Sequence, residues 1–473
     1  MNSKNYGLTE KDIYRLFNHV RFEDGELGDL TADADAVPKE RIKQALTGRI
    51  RRQRTVKLLT SGLAAAALVF FCLIGIGTAL PSLAANVPVL NSIIQALNDR
   101  SGYHGAYADY SQIVNKSVTS NGLTLTINEV LADDSKLIVG YTVQGVDKIN
   151  NLGDICLVSN TKINGKLYSS TGGGAGKFLD EYTYVGYEDV HPQPMVAAQV
   201  LNINFNVFEI AGRSGRWNFA FSASKDELSK QSIVFRPNNV LDFPSSRATV
   251  DRVVFSPIDT AIFISGKYKT PKKAGTPYSI IDYDYWLVYD DQGVELVPKS
   301  VGGGSSDGQN MNCEMDFDSV KDIPKYLTVI PCKITPSMEG GGEVGGPMTV
   351  TRGIEPKEVS HIIDGTYPIE LAQGKLGRLI IRGIKTVDNK TTVEYTAEGM
   401  APYFQGTNLF IKDDRGEIVV AENYNIRRND QQPNEFTLEF PALDPNRRYT
   451  IYTNFFDNVA IRDDLKFRIE LDK

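Results

Sequence analysis

Cysteine and histidine are scarce in this sequence: 473 residues carry four of each. No Cys-x-x-Cys pair and no Cys/His cluster occurs, which removes the common zinc patterns. Cys72 falls inside an apolar run, and Cys156, Cys313 and Cys332 are an odd number. Cys313 and Cys332 are candidates for a disulfide in an exported region, and equally for unpaired buried thiols, because bridging depends on Cα separation in the fold. His19, His104, His191 and His361 are scattered, with no His-Glu-x-x-His motif and no nucleophile elbow. Carboxylate pairs of the glycosidase kind meet only in three dimensions, so sequence neither finds nor removes them. The expectation is a protein that is not an enzyme, with no catalytic residue, metal ligand or cofactor. Basic charge is also in deficit: the net charge is −7, which does not suit direct nucleic-acid binding.

Charge is missing altogether from Leu58 to Leu80, LLTSGLAAAALVFFCLIGIGTAL. As a helix these 23 residues reach roughly 34 Å, enough to cross a hydrocarbon layer of about 30 Å. Residues 39–57 before the run carry eight Lys/Arg and one acid, and the next charge after Lys57 is Asp99. Positive charge stays inside, so the N-terminus is expected in the cytoplasm and the C-terminal mass outside the cell membrane. A cleaved signal peptide ending at Ser82-Leu83-Ala84 is the competing reading; the long basic leader and the long apolar run oppose it.

Two short amphipathic helices are readable before the run. In the first, Thr9 and Asp12 sit at capping-box spacing, and Ile13, Leu16, Phe17 and Val20 form one apolar stripe. The second starts at Pro38 and places Ile42, Ala45, Leu46 and Ile50 on one side. Helices this short bury little alone. They pair with each other, lie on anionic lipid, or present their stripes to a cytoplasmic partner.

Past the apolar run, Pro88 opens another helix, with Ile93, Ile94 and Leu97 on one face; it packs on the first outer domain or on the bilayer surface. After Gln112 the period changes to two. Leu123–Gln144, Ala248–Lys269 and Leu379–Glu398 each read as strand, turn and strand. A second block follows two of the hairpins, WLVYDDQGVEL from Trp286 and LFIKDDRGEIV from Leu409, with a weaker LVSNTKINGKL from Leu157. The repeat is roughly 125–130 residues, enough for a β-sandwich of seven or eight strands. The fold class is therefore mainly β: a helical cytoplasmic segment, one transmembrane helix, then about three tandem β-sandwiches, immunoglobulin-like in one version. A single long sheet array is the alternative. The expected divisions are 1–57, 58–80, 81–111, 112–236, 237–370 and 371–473. Asp290-Asp291 and Asp413-Asp414 allow a calcium reading, but Asp-Asp-x-Gly between alternating runs is what a tight turn requires. The glycine-rich stretches at 172–174, 302–304 and 340–346 lack a phosphate-loop context and read as mobile loops. The aromatics read mostly as strand core, with Tyr283, Tyr285 and Trp286 the candidates for a binding face.

DIYRLFNHVRFEDGEL, PKERIKQALTGRIRRQR, the apolar run and AANVPVLNSIIQAL together resemble membrane-bound anti-sigma factors of Gram-positive bacteria that carry domain of unknown function 4179. The resemblance spans about residues 8–145. It implies an N-terminal segment that holds an extracytoplasmic-function sigma factor at the membrane and a β-rich outer region that senses an unknown extracytoplasmic ligand. Ile13, Leu16, Phe17, Ile42 and Leu46 would then be sigma-contacting, with Val20 completing the partner-binding stripe. The His/Cys motif of zinc-type anti-sigma domains is absent. The alternative function is an anchored envelope structural or adhesion protein.

Overall fold

The structure is a computed structural model that describes residues 92–149, 155–193, 196–272, 283–305, 307–334, 357–421 and 426–471, with the short pairs 340–341 and 349–350. The expected cytoplasmic segment 1–57 and span 58–80 lie outside these residues. Among the described residues no helix is long and apolar enough to cross a membrane.

Alternating apolar residues build three successive cores. The first belongs to strands β1 (Gln112–Ser120), β2 (Leu123–Ala132), β3 (Leu137–Gly145), β4 (Leu157–Ile163), β5 (Lys166–Asp180), β6 (Thr183–Gln193), β7 (Val200–Ile210) and β8 (Arg213–Ser224). They form one sheet in the order β1-β2-β3-β6-β5-β4-β7-β8. Strand β5 pairs with β4 over its first three residues and with β6 thereafter, so one continuous sheet turns over and encloses its own core. Its two ends meet: Gln112 Nε2 donates to Ser224 O at 2.7 Å, and Ser224 N donates to Gln112 Oε1 at 2.8 Å. Leu125, Ile127, Tyr141, Phe205 and Trp217 fill the interior, and the Trp217 indole donates to Leu123 O at 3.0 Å.

The first two glycine-rich stretches are strands, not loops, and so is the described start of the third. Gly172–Gly174 lies in β5, Gly302–Gly304 ends β14 (Pro298–Gly304), and Gly340–Gly341 pairs with Thr349–Val350. A Cβ at Gly174 would collide with Tyr187 O and one at Gly303, where φ is +146°, with Asn312 O, so neighbouring backbones exclude a side chain.

The second core lies between two sheets. One holds β9 (Ile233–Phe235), β10 (Asn239–Asp242), β11 (Ser246–Phe255), β12 (Thr260–Tyr268), β15 (Asn310–Phe317) and β14. The other holds β13 (Tyr285–Tyr289) and β16 (Tyr326–Ile334), and its remaining strands, Val459–Ile461 and Phe467–Glu470, come from the end of the chain. The repeat period assigns everything after 371 to a third unit; Ile469 and Leu471 are instead buried in the second core. Trp286 (3% exposed) and Tyr283 (5%) are interior there and decorate no binding face. Trp286 meets Phe467 edge-on at 6.5 Å. Cys313 and Cys332 lie in opposite sheets of this unit as free thiols. The third core lies between a five-stranded sheet built on the hairpin Gly377–Val387/Lys390–Gly399 and a four-stranded sheet built on Leu409–Asp413 and Tyr449–Phe455.

The repeat is physical. The first strand of each hairpin carries a β-bulge at the same place, at Asn128, Asp251 and Arg382. Each bulged side chain bonds a hydroxyl on the second strand, fourteen residues on in every case: Thr142 donates to Asn128 (2.9 Å), Ser265 donates to Asp251 (3.0 Å), and Arg382 donates to Thr396 (2.7 Å). The two Asp-Asp-x-Gly blocks are turns. Asp290 Oδ1 accepts from the amides of Gln292 and Val294, Asp413 Oδ1 from those of Arg415 and Glu417, and Gly293 and Gly416 take positive φ.

Because the last strands complete the second core, ending the chain after Asp457 should open that core. In a Trp217→Phe background Trp286 is the sole indole, and its emission should shift to the red and become accessible to acrylamide. An unchanged spectrum would contradict the role of Phe467–Glu470.

Candidate functional site

The most concentrated chemistry lies where the first two units meet, and the repeat places it there. In the β2–β3 turn Asp133 Oδ1 accepts from the amides of Ser135 (2.6 Å) and Lys136 (2.8 Å), which fixes Lys136 at the tip. In the β11–β12 turn Ser256 Oγ accepts from the Asp259 amide at 3.1 Å and donates to its carboxylate at 2.8 Å. The two turns are equivalent in the repeat, and so are Lys136 and Asp259. They meet tip to tip as an ion pair, with Asp316 Oδ1 3.2 Å from the same ammonium. All three side chains are at most 3% exposed. Burial alone would lower the Lys136 pKa, yet Asp259 and Asp316 hold it well above the ordinary lysine value. Burial would raise Asp259, and Lys136 brings it below the usual carboxylate range.

Beside this pair two strands face each other with alternating polar residues. β6 presents Asp189 and His191, and β15 presents Glu314 and Asp316. His191 Nδ1 is 3.2 Å from Glu314 Oε2, and Nε2 is 3.3 Å from Asp189 Oδ1. Burial opposes the imidazolium, but the two carboxylates push His191 up to about 11. Burial raises Glu314, with the His191 hydrogen bond acting against it. Ser300 Oγ donates to Asp316 Oδ2 at 2.7 Å. These groups line a cleft of about 780 Å³, together with Arg252, Lys299 and the bare glycine backbone of β5 and β14.

The helix expected after the apolar run closes the joint. It is α1 (Ile93–Arg100), capped by Ser92, with Glu129 Oε1 accepting from Ile94 N at 2.9 Å. It packs on the first unit: Ile93 and Leu97 lie against Val185, and Ile94 against Leu131 and Ile138. The segment after it is held from both sides. Gln95 bonds Gly105 O and Ala108 N; Ala106 N donates to Pro257 O at 3.0 Å; His104 Nδ1 is 2.8 Å from Asp318 Oδ2. Ile258 of the second unit is fully buried against Ile94 and Tyr107.

A second buried acid lies between units two and three. Glu295 is 2% exposed, and its Oε2 accepts from Tyr403 N at 2.8 Å. Burial, opposed by that bond and by Arg428, pushes Glu295 up to about 7.

The residues expected to bind a partner, Ile13, Leu16, Phe17, Val20, Ile42 and Leu46, all lie outside the described residues. Sequence reading did not single out Lys136, Asp259, Glu314 or Asp316, and it set His191 aside as isolated. The available signal was the strand CEMDF at 313–317, where acids alternate with core residues.

Residues 54–145 match a model described as a domain of unknown function (DUF4179), and residues 232–372 match a family of unknown function (DUF5643). A solved structure described as the conserved domain protein from Bacillus anthracis is similar at TM-score 0.40 and 20% identity, covering 53% of this chain and 88% of that one. No curated protein matches. Lys136 thus falls in the first matched stretch, and both its carboxylate partners fall in the second.

Lys136→Met should leave Asp259 and Asp316 buried without their cation. The expected loss is roughly 3–5 kcal/mol in denaturant unfolding, with partial recovery on adding Asp259→Asn. A loss below about 1 kcal/mol would show the pair to be incidental. Glu295 has its folded-state pKa raised, so its stabilising contribution is complete below 4.5 and disappears as pH climbs through about 7. Its full size is on the order of 3 kcal/mol. Glu295→Gln should flatten this part of the stability–pH curve between pH 5 and 8; parallel curves for the two proteins would exclude Glu295 as its source.

Proposed function

We propose that this chain is a single-pass membrane signalling regulator: an anti-sigma factor whose cytoplasmic segment 1–57 holds an extracytoplasmic-function sigma factor, and whose β-rich outer region senses the envelope. A family likeness and a structural placement support the reading. The sequence resemblance over residues 8–145 is joined by the family match over 54–145, a family known in membrane proteins similar to anti-sigma factors. The observation that carries the mechanism is the placement of α1 and residues 103–107, the segment that follows the proposed span, in the joint between the first two outer units.

That placement gives the outer region a physical route to the membrane. A ligand moves a two-state equilibrium only by its differential affinity for the two arrangements. A ligand that prefers one packing of Lys136 against Asp259 therefore changes how firmly α1 and residues 103–107 are held. The stalk leaving the bilayer then tightens or loosens, and the cytoplasmic stripes become more or less available. Ile13, Leu16, Phe17 and Val20 on one helix and Ile42 and Leu46 on the other are the proposed sigma contacts. The function proposed is non-catalytic.

The second reading, an anchored envelope structural or adhesion protein, is favoured by the three successive units and needs nothing from residues 2–38. Deleting those residues separates the two: the regulator reading expects transcription of the sigma factor's own target genes to rise, whereas the structural reading expects no transcriptional change. Residues 1–57 immobilised on beads should retain a sigma factor identified by mass spectrometry, and the double change Leu16→Asp/Phe17→Asp should reduce recovery at least tenfold. Equal recovery by the double mutant would remove the first stripe from the mechanism.

A further inference from the structure

We propose that His191, Glu314 and Asp316 form a binding site for a divalent transition-metal cation of the zinc or manganese kind, clamping the first two outer units together. One ligand atom from each residue lies within 4.8 Å of the others. The ligands come from both sides of the joint, His191 from β6 and the two acids from β15.

Three further observations favour a cation over a simple ion-pair network. Glu314 is 8% exposed, and its buried Oε1 has no hydrogen-bond partner although the residue lines the cleft. A buried carboxylate oxygen left unused is costly unless a cation or water completes it. On the far side of His191, with Nδ1 turned to Glu314, Nε2 lies 3.3 Å from Asp189 Oδ1, an ion-pair contact that a small ring rotation turns into a hydrogen bond. Histidine ligands almost always donate their second ring N–H to a carboxylate, backbone carbonyl or water, and Asp189 is the carboxylate placed for that role. Finally, a cleft of about 780 Å³ leaves room for water on the remaining coordination positions.

The donor set selects the class of metal. One imidazole nitrogen with carboxylate oxygens suits zinc or manganese, whereas calcium and magnesium take oxygen ligands throughout. Metal–ligand lengths of about 2.0–2.2 Å bring neighbouring donors to roughly 3.4 Å in a tetrahedral site. The 4.8 Å spread must therefore contract on binding, drawing β6 towards β15. Lys136 shares Asp316 and stays paired with Asp259, so its charge is already neutralised beside the site. The inference concerns the outer joint and does not depend on what the cytoplasmic segment binds.

The test uses the full chain in detergent, without a histidine tag, stripped with EDTA and dialysed against low-micromolar Zn²⁺ or Mn²⁺. The expected result is one equivalent bound per chain. Glu314→Gln and His191→Gln should each lower affinity at least tenfold, with a single cooperative thermal unfolding transition in EDTA as the control for folding. Asp189→Asn, a positioning change, should weaken binding by about 10–100-fold. If the variants do not fold, Co²⁺ in the wild-type chain decides: intense visible bands of a four- or five-coordinate site with nitrogen ligation support the proposal. No bound metal, binding unaltered by Glu314→Gln and His191→Gln, or a weak octahedral Co²⁺ spectrum would each overturn it.

Discussion

The joint between the first two outer units rests on one buried ammonium. Lys136 stands between Asp259 and Asp316 with almost no access to water, and each of the three charges is tolerable only because the others are present. An apolar contact at this place would resist separation more simply, and Ile258 against Ile94 and Tyr107 supplies one next to it. What the charged contact adds is a narrow geometry: a small displacement leaves desolvated charges unmatched, so the joint has few comfortable arrangements.

The origin of that contact is legible in the repeat once the structure is known. Lys136 and Asp259 occupy the same position of the same hairpin turn in successive units, and opposite charges at equivalent positions make two copies adhere. In the third unit the equivalent residue is Lys390, but the tip is drawn into a two-residue turn through Asp388 and Asn389, both at positive φ, and Lys390 pairs with Glu439 of its own unit. Its attachment uses other means, among them the buried Glu295 under the Tyr403 amide.

Sequence reading found what local patterns encode. Alternation in Leu123, Leu125 and Ile127 marked the hairpin strands; Asp-Asp-x-Gly marked turns; Ile93, Ile94 and Leu97 marked the buried face of α1. It failed where the information is non-local. Glu314 and Asp316 alternate with Met315 and Phe317 as in any strand with one wet face, and a single strand cannot tell whether that face meets solvent or another unit. The glycine runs of β5 and β14 read as loops because the backbones that exclude a side chain at Gly174 and Gly303 come from partner strands. The continuous first sheet was hidden because a strand that changes partners midway looks like one long strand.

The strands at Val459–Ile461 and Phe467–Glu470 make the third unit an insertion within the second, bracketed by β16 on one side and the chain terminus on the other. Maturation therefore cannot follow the linear order of the polypeptide. As the chain emerges, the first unit has all its strands early, and the third closes from contiguous sequence. The second waits half-built, one sheet lacking two strands, until Val459–Ile461 and Phe467–Glu470 arrive. The second core, between its complete six-stranded sheet and the sheet that β16 holds, is thus the last to be closed, and a chain clipped before Val459 would leave β16 without two of its partners.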